Sequence, residues 1–303
     1  MVAVGLLIGL AFGLLSGGLF QILVLQNLVF GALAFLLPIV QPLAALFPVP
    51  ATPIWLSVVI GFVLWLAFNV LVFWILAVFA QRSLVFPGPG LDLVNNTAMQ
   101  SFYRGFGAGT ATLVNFVIYF PLPNPVFTIL AFVSLVPFLL PIPAIRHTRF
   151  YQGIIGWMSW VMPVSWIDNA RGLFFFLFWA MPAGIAAFGT GAIRFDPTSG
   201  SIETRYPMPN PTRRAFNIGV FTFLNGSNPA VAPTGFLTPG TSAHEVGHGL
   251  NTSGLTAFWA IATGIEESRV FGGPNIRALG QMTAESRAPR LGGTRLYIDL
   301  WSP

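Results

Sequence analysis

The chain contains no cysteine and no lysine. The missing cysteines exclude disulfides, thiolate nucleophiles, iron–sulfur clusters and cysteine-ligated zinc. The missing lysines exclude a P-loop phosphate site and any lysine Schiff base. All 14 cationic side chains are therefore arginine, which a genome rich in guanine and cytosine explains through its codon usage.

Charge is also scarce, because only 8% of the 303 residues are charged whereas 55% are hydrophobic. The mean hydropathy is +0.76, and soluble domains carry roughly 25% charged residues. Most of the chain therefore cannot face water, and the composition predicts a polytopic membrane protein with the lipid bilayer as a partner. The net charge of +5 does not indicate nucleic acid, since arginines that flank membrane spans give the same balance.

The first charged residue is Arg82. Before it, residues 3–25 and 28–47 are apolar over lengths close to the roughly 20 residues of a bilayer crossing. The polar pair at 26–27 separates them, so they predict either two spans or one long, broken span. Residues 54–80 are the clearest predicted span. A secretory signal would need a cationic start, which this chain lacks, so we expect a retained membrane segment.

Four further apolar runs precede residue 190, at 105–121, 126–145, 150–166 and 172–189. Prolines in the second of them predict a bent helix. From 190 onward nine of the 14 arginines occur, among many glycines and prolines. The predicted fold class is thus a membrane α-helical region over 1–189, with about five or six membrane-embedded helices. A small α+β extramembrane domain follows over 190–303.

Two stretches of this predicted domain have the pattern of strands. Residues 192–208, AIRFDPTSGSIETRYPM, predict two strands around an Asp-Pro-Thr-Ser-Gly turn. Residues 214–226, RAFNIGVFTFLNG, partly alternate and end in Asn-Gly, which predicts a further strand followed by a turn.

Arginine placement predicts the orientation in the membrane. If each apolar run from 105 to 189 crosses, most arginines fall on one side, namely Arg82, Arg104, Arg146, Arg149 and the last nine. The positive-inside rule makes that side cytoplasmic. We therefore expect an integral protein of a bacterial inner membrane, with its C-terminal domain in the cytoplasm. If the short run 150–166 did not cross, the domain would lie outside.

The stretch TSAHEVGHGLN at 241–251 contains two of the three histidines of the chain, His244 and His248. Residues four apart share one face of a helix, so the two imidazoles can hold one metal ion, and Glu245 between them can take a proton from water at that metal. With three histidines and five glutamates in the chain, the chance expectation of this pattern is on the order of one in two thousand. The competing interpretation is structural, because Ser242 and Glu245 also have the spacing of a helix capping box.

This motif resembles that of the gluzincin metallopeptidases, which are HExxH zincins. The resemblance covers roughly residues 215–270. It implies that His244 and His248 bind zinc and that Glu245 is the catalytic general base. It also implies a third ligand from the next helix, either Glu266 or Glu267, which follow His248 by 18 and 19 residues.

Two details of this metal site remain open in the sequence. The remaining histidine, His147, competes with the two glutamates as a third ligand, although its position between arginines at a span end is also typical of an interfacial residue. We also expect a turn over 251–254, which would allow the following helix to fold back toward the histidines.

Two functions follow from these observations. The first is a membrane-anchored zinc metallopeptidase that hydrolyses peptide bonds with metal-activated water. The alternative is a non-enzymatic structural or accessory subunit of a larger respiratory or photosynthetic membrane complex, with a vestigial zincin-like site. The first function implies a peptide substrate, and the second implies other subunits as partners.

Overall fold

The computed structural model describes residues 1–29, 53–85, 97–211, 215–228, 239–258 and 260–261. The helices are α1 (Val2–Phe20), α2 (Ile54–Val85), α3 (Thr97–Tyr119), α4 (Pro125–Val133), α5 (Pro143–Arg146), α6 (Arg149–Val161), α7 (Pro163–Phe175) and α8 (Pro239–Leu255). Two of them continue beyond these bounds through a π-helical turn. Helix α1 continues through Gln21–Leu25 as far as Val29, and α7 continues through Phe176–Ala180 and Met181–Phe188. The strands are β1 (Ile193–Asp196), β2 (Ser201–Tyr206), β3 (Ala215–Ile218) and β4 (Phe221–Asn225).

Three stretches of helix are long and apolar enough to cross a membrane, namely Val2–Val29, Ile54–Phe73 and Pro163–Phe188. Their outward faces expose large apolar side chains, such as Leu7 and Trp55, which are both 67% exposed. A continuous exposed apolar surface of this kind is unfavourable in water and suits contact with lipid. The chain is therefore a membrane protein that combines a helical part with a small mixed sheet.

Helices α1 and α3 pack against each other in parallel through glycines. A Cβ atom on Gly5 would lie 2.1 Å from the carbonyl oxygen of Phe102, and one on Gly9 would lie 2.2 Å from that of Phe106. Residue numbers rise together along this contact, which defines the parallel direction. Glycines spaced by four residues let two helix backbones approach closely, and dispersion contacts then hold apolar helices together.

Helix α2 packs antiparallel to α1 around a small polar cluster. The Ser16 hydroxyl donates to Asn69 Oδ1 at 2.7 Å, and the indole nitrogen of Trp65 donates to the Ser16 carbonyl at 3.0 Å. Nearer the end of α1, a Cβ on Gly61 would meet the Leu23 carbonyl oxygen at 2.1 Å. Helices α1, α2 and α3 therefore alternate in direction.

The apolar run 126–145 is divided into separate segments, whereas its prolines predict a single bent helix. Helix α4 ends at Val133, a 3-10 segment follows at Val136–Leu139, and α5 begins at Pro143. Proline has no backbone N–H to donate to the preceding turn, so each break falls where a helical hydrogen bond would be lost.

The strands form one sheet in the order β1-β2-β4-β3. Strand β1 is antiparallel to β2, β2 is parallel to β4, and β4 is antiparallel to β3. The first pair confirms the two strands predicted around the Asp-Pro-Thr-Ser-Gly turn. Within the described residues, β3 lies at one edge of the sheet.

Each face of the sheet packs against a helix. Aromatic residues of β4, Phe221 and Phe223, join Phe175 and Phe176 of α7 in one apolar cluster. On the opposite face, α8 contacts β3 and β4 and also reaches α3 and α6. Just beyond the end of α8, Phe258 is fully buried in the core of the helical part. Residues on both sides of the predicted boundary near 190 therefore share one core.

Candidate metal centre

The HEVGH motif lies on α8, as its spacing predicts. The helix begins at Pro239, and proline is favoured in the first turn of a helix because its fixed φ suits the helix and its missing N–H would have no partner there. His244 and His248 occupy positions one turn apart on this helix. The backbone is thus arranged as a two-histidine metal site requires.

The capping-box interpretation does not fit this helix. A capping serine precedes the first helical residue, whereas Ser242 follows Pro239 and lies inside α8. Glu245 is consequently not in the first turn, where its carboxylate would be close to the unpaired N–H groups at the start of the helix. The capping role therefore does not account for this glutamate.

The Glu245 side of α8 faces the turn between β3 and β4. Glu245 is buried, with 5% of its surface exposed, and His248 is half-buried. One turn after Glu245, a Cβ on Gly249 would lie 2.7 Å from the Gly219 carbonyl oxygen. The glycine therefore allows α8 to lie directly against the strand turn.

A buried acid on α7 joins this turn to the motif helix. Asp168 Oδ2 accepts from the backbone N–H of Gly219 at 3.2 Å and from the Thr252 hydroxyl at 3.4 Å. The other oxygen, Oδ1, accepts from Arg171 at 2.7 Å. Thr252 is one turn beyond His248, so Asp168 helps to hold α8 in position.

The next residue, Asn169, completes the junction. Its Nδ2 donates to the Ser159 carbonyl on α6 at 2.7 Å, and its Oδ1 accepts from the Val220 N–H at 3.1 Å. The sequence carried a signal for this junction, because polar residues inside apolar segments usually face the protein interior and often have a role. It did not show which elements Asp168 and Asn169 would join.

The sheet face toward α8 carries a row of polar residues. Asn217 Nδ2 donates to Thr222 Oγ1 at 3.1 Å, and Thr222 is directly opposite Glu203 in the register of β2 and β4. Directly opposite residues point to the same face of a sheet. Glu203 is 1% exposed, so a buried carboxylate that sequence reasoning missed lies on the face that α8 covers.

Asn251 is a second residue that sequence reasoning missed as a site candidate. It lies three residues after His248 on α8 and is completely buried. Neither its Oδ1 nor its Nδ2 has a hydrogen-bond partner among the described residues. Burying an amide without hydrogen bonds costs roughly 1–3 kcal/mol, so this position is energetically unfavourable unless something else binds there.

The predicted ligand set is only partly within the described residues. The side chain of His244, together with Glu266 and Glu267, lies outside them. Among the side chains that are described, no three of histidine, aspartate or glutamate are close enough to hold a metal ion. His147 follows α5 and is half-buried, and it joins no such group in the described part of the chain.

The predicted turn over 251–254 is wrong. Helix α8 continues through these residues to Leu255, and the helical path changes at Thr256, whose φ is +100°. The residues Asn251–Gly254 favour turns when exposed, but here all are buried between α3, α6 and the sheet. Tertiary packing overrides their local preference.

Comparison with protein-family models, with curated proteins and with solved structures found no match for this chain.

Proposed function

We propose that the chain is a membrane-anchored zinc metallopeptidase that hydrolyses peptide bonds at the HEVGH helix. The observation that carries this proposal is the position of the motif on α8. Residues 244 and 248 are one turn apart, and Glu245, which directly follows the first of them, is buried on a helix that contacts the edge strand β3. The capping role that would have explained Glu245 without chemistry does not fit the start of the helix.

The residues have distinct roles in this proposal. His244 and His248 hold the metal, and Glu266 or Glu267 completes the site. Zinc would supply a Lewis acid that polarises the substrate carbonyl and makes water more acidic. Glu245 accepts the proton of the attacking water and then passes it to the leaving amine.

The position of β3 suggests how a substrate would bind. An edge strand has free backbone N–H and C=O groups on its outer side, to which an extended peptide can add as another strand. Strand β3 is at the sheet edge within the described residues and packs against α8. A peptide bound along β3 would pass beside the motif helix.

Metal analysis and one substitution test the proposal. Purified protein is expected to contain about one zinc per chain, and His244→Ala is expected to lose it. Glu245→Gln should keep the zinc but reduce the hydrolysis of an internally quenched peptide library by about 10²–10⁴-fold, because an amide cannot accept the proton. The control is His147→Ala, which should change neither quantity. Absence of zinc from the unaltered protein, or full activity of Glu245→Gln, would contradict the proposal.

A second function is favoured by the close packing of α8. A Cβ on Gly254 would be 3.4 Å from Leu140, and one on Gly107 of α3 would meet Leu255 at 2.6 Å. A helix held on several sides is also a suitable structural element, as an accessory subunit of a membrane complex with a vestigial site requires. In that case Glu245→Gln would alter neither fold nor assembly, and the protein would purify with other subunits and without peptidase activity.

The proposal also includes four statements about the architecture and location of the protein. They are the number of five or six membrane-embedded helices, the zincin-like character of the C-terminal α+β part, the bacterial inner membrane and the cytoplasmic side of that part. The parallel packing of α3 along α1 supports a membrane position for α3 as well.

A further inference from the structure

Helix α6 buries two uncharged polar side chains and exposes several large aromatic ones. Gln152 and Ser159 are 1% and 0% exposed, whereas Phe150 and Trp157 are 80% and 47% exposed. A helix at the surface of a soluble protein has the opposite arrangement. The outward face of α6 is therefore suited to lipid, and its aromatic residues are those favoured at the membrane interface.

A groove of about 610 Å³ runs along this outward face of α6. Its walls are apolar over most of their length and are formed by Val133, Ile154, Trp157, Met158 and Val161, among others. The turn between β1 and β2 closes one side through Thr198. Trp157 is fixed in this wall because its indole nitrogen donates to the Pro197 carbonyl at 3.0 Å.

Among the described residues that line the groove, one is charged. Arg149, the first residue of α6, is exposed and borders the same cavity as the apolar side chains. Its neighbour Arg146 is buried, with 6% of its surface exposed, so of these two arginines only Arg149 borders the groove. The groove thus combines an apolar channel with a cation at its border.

We propose that this groove binds one phospholipid with an anionic headgroup, whose acyl chain lies along α6 and whose phosphate contacts Arg149. The apolar lining matches an acyl chain, and the guanidinium matches a phosphate in both charge and geometry. A membrane protein is surrounded by such lipids, so no further partner is required. This inference is independent of the proposed peptidase activity.

The test uses native mass spectrometry of the purified full-length protein in a neutral detergent. Phosphatidylglycerol and phosphatidylcholine are added in equal amounts, and the lipid molecules retained by each protein chain are counted. We expect preferential retention of phosphatidylglycerol. Arg149→Gln should weaken that retention about fivefold, since one arginine near a membrane surface contributes about that factor. Arg194→Gln, an exposed arginine of β1 outside the groove, is the matched control and should retain the lipid normally.

A second variant fills the groove instead of changing its charge. A Cβ on Gly153 would already lie 3.0 Å from the Thr198 carbonyl oxygen, so Gly153→Leu should reduce retention of both lipids. Equal retention of the two lipids by the unaltered protein would overturn the proposal, as would unchanged retention by Arg149→Gln. Displacement of the lipid by inorganic phosphate alone would overturn it in favour of an anion site. Loss of a copurified membrane protein from Gly153→Leu, without loss of lipid, would overturn it in favour of a protein partner.

Discussion

Asn169 and Asn251 are both buried asparagines, but only one has its amide satisfied. Asn169 bonds to the Ser159 carbonyl and to the Val220 N–H. Asn251 is without such partners in the described part of the chain. A buried amide that is bonded stabilises the fold, whereas one that is not bonded destabilises it. Asn169 therefore has a structural role. The hydrogen bonds of the described residues do not explain why an asparagine is buried at position 251.

We expect Asn169→Leu to be more destabilising than Asn251→Leu by at least about 2 kcal/mol. The first change leaves a buried carbonyl and a buried N–H without partners, and the second leaves none. Both changes add similar volume, so overpacking is matched. Unfolding of the two purified variants in mixed detergent measures the difference. Equal losses of stability would show that Asn251 has a partner that the described residues do not include.

Glu203 gives a second prediction at the scale of single residues. Its carboxylate is buried on the sheet face opposite the α7 cluster, and substitution can test whether this acid contributes to the proposed zinc site. Because the proposed ligand set places that role on the distal pair, Glu203→Gln should retain zinc. The double variant Glu266→Gln, Glu267→Gln should lose most of it, since removing a ligand weakens binding strongly. Zinc content by elemental analysis decides, and the reverse outcome would move the third ligand to β2.

Helix α1 has glycines in two kinds of surroundings. The close contacts of Gly5 and Gly9 with α3 leave no room for a side chain, whereas a Cβ on Gly18 of the same helix would have no atom within 4 Å. The two kinds of glycine on α1 provide a matched comparison.

We expect Gly9→Leu to destabilise the protein by about 3 kcal/mol or more, because the new side chain would meet the backbone of α3. Gly18→Leu should have little effect, and it can even gain from the better helix propensity of leucine. Thermal unfolding in detergent and the yield of folded protein measure both. Similar behaviour of the two variants would show that α1 and α3 do not depend on this contact.

The motif helix offers a similar comparison between Gly249 and Gly254. Either change to alanine should gain up to about 1 kcal/mol of helix propensity. The alanine at 249 would lie 2.7 Å from the Gly219 carbonyl oxygen, but the one at 254 would make an ordinary contact of 3.4 Å with Leu140. Gly249→Ala should therefore be destabilising and Gly254→Ala neutral or stabilising. Greater stability of Gly249→Ala would mean that α8 does not lie against the strand turn.

The sequence predicts individual elements better than their contacts. The apolar run at 54–80 and the pair β1–β2 are confirmed, because each depends on neighbouring residues. The prolines of 126–145 mark an irregular region correctly, but the run is divided into segments and is not one bent helix. Residues 214–226 predict one strand but contain two, β3 and β4, which are joined at Gly219 with φ of +61°. A Gly-Val turn lacks the Asn-Gly signal of a tight hairpin.

In the candidate site, too, the sequence predicts the element but not its contacts. The position of both histidines on one helix is predicted, since it requires only their spacing. The junction at Asp168 is not, because its hydrogen bonds to Gly219 and Thr252 join residues separated by 51 and 84 positions. The glycine spacing of α1 is visible in the sequence, but it does not identify α3 as the partner helix.

The orientation of the whole molecule can be tested directly because the chain has no cysteine. Single cysteines then react with a membrane-impermeant maleimide without background. Arg194→Cys, at an exposed position of β1 outside the groove, should be protected in intact cells if the C-terminal part is cytoplasmic. Pro53→Cys should be labelled, because α2 starts beside the end of α1 and thus opposite Arg104. The reverse labelling pattern would invert the orientation.

The parallel pairing of α1 and α3 also has a consequence for synthesis at the ribosome. Gly17 of α1 packs against Val117 of α3, which is translated about a hundred residues later. At roughly 5–20 residues per second, α1 waits about 5–20 s for its partner. During that interval its glycine face is exposed within the insertion machinery or the bilayer, where the antiparallel α2 arrives first. A nascent chain halted before residue 97 should therefore be the form most readily captured by membrane chaperones or degraded by membrane proteases.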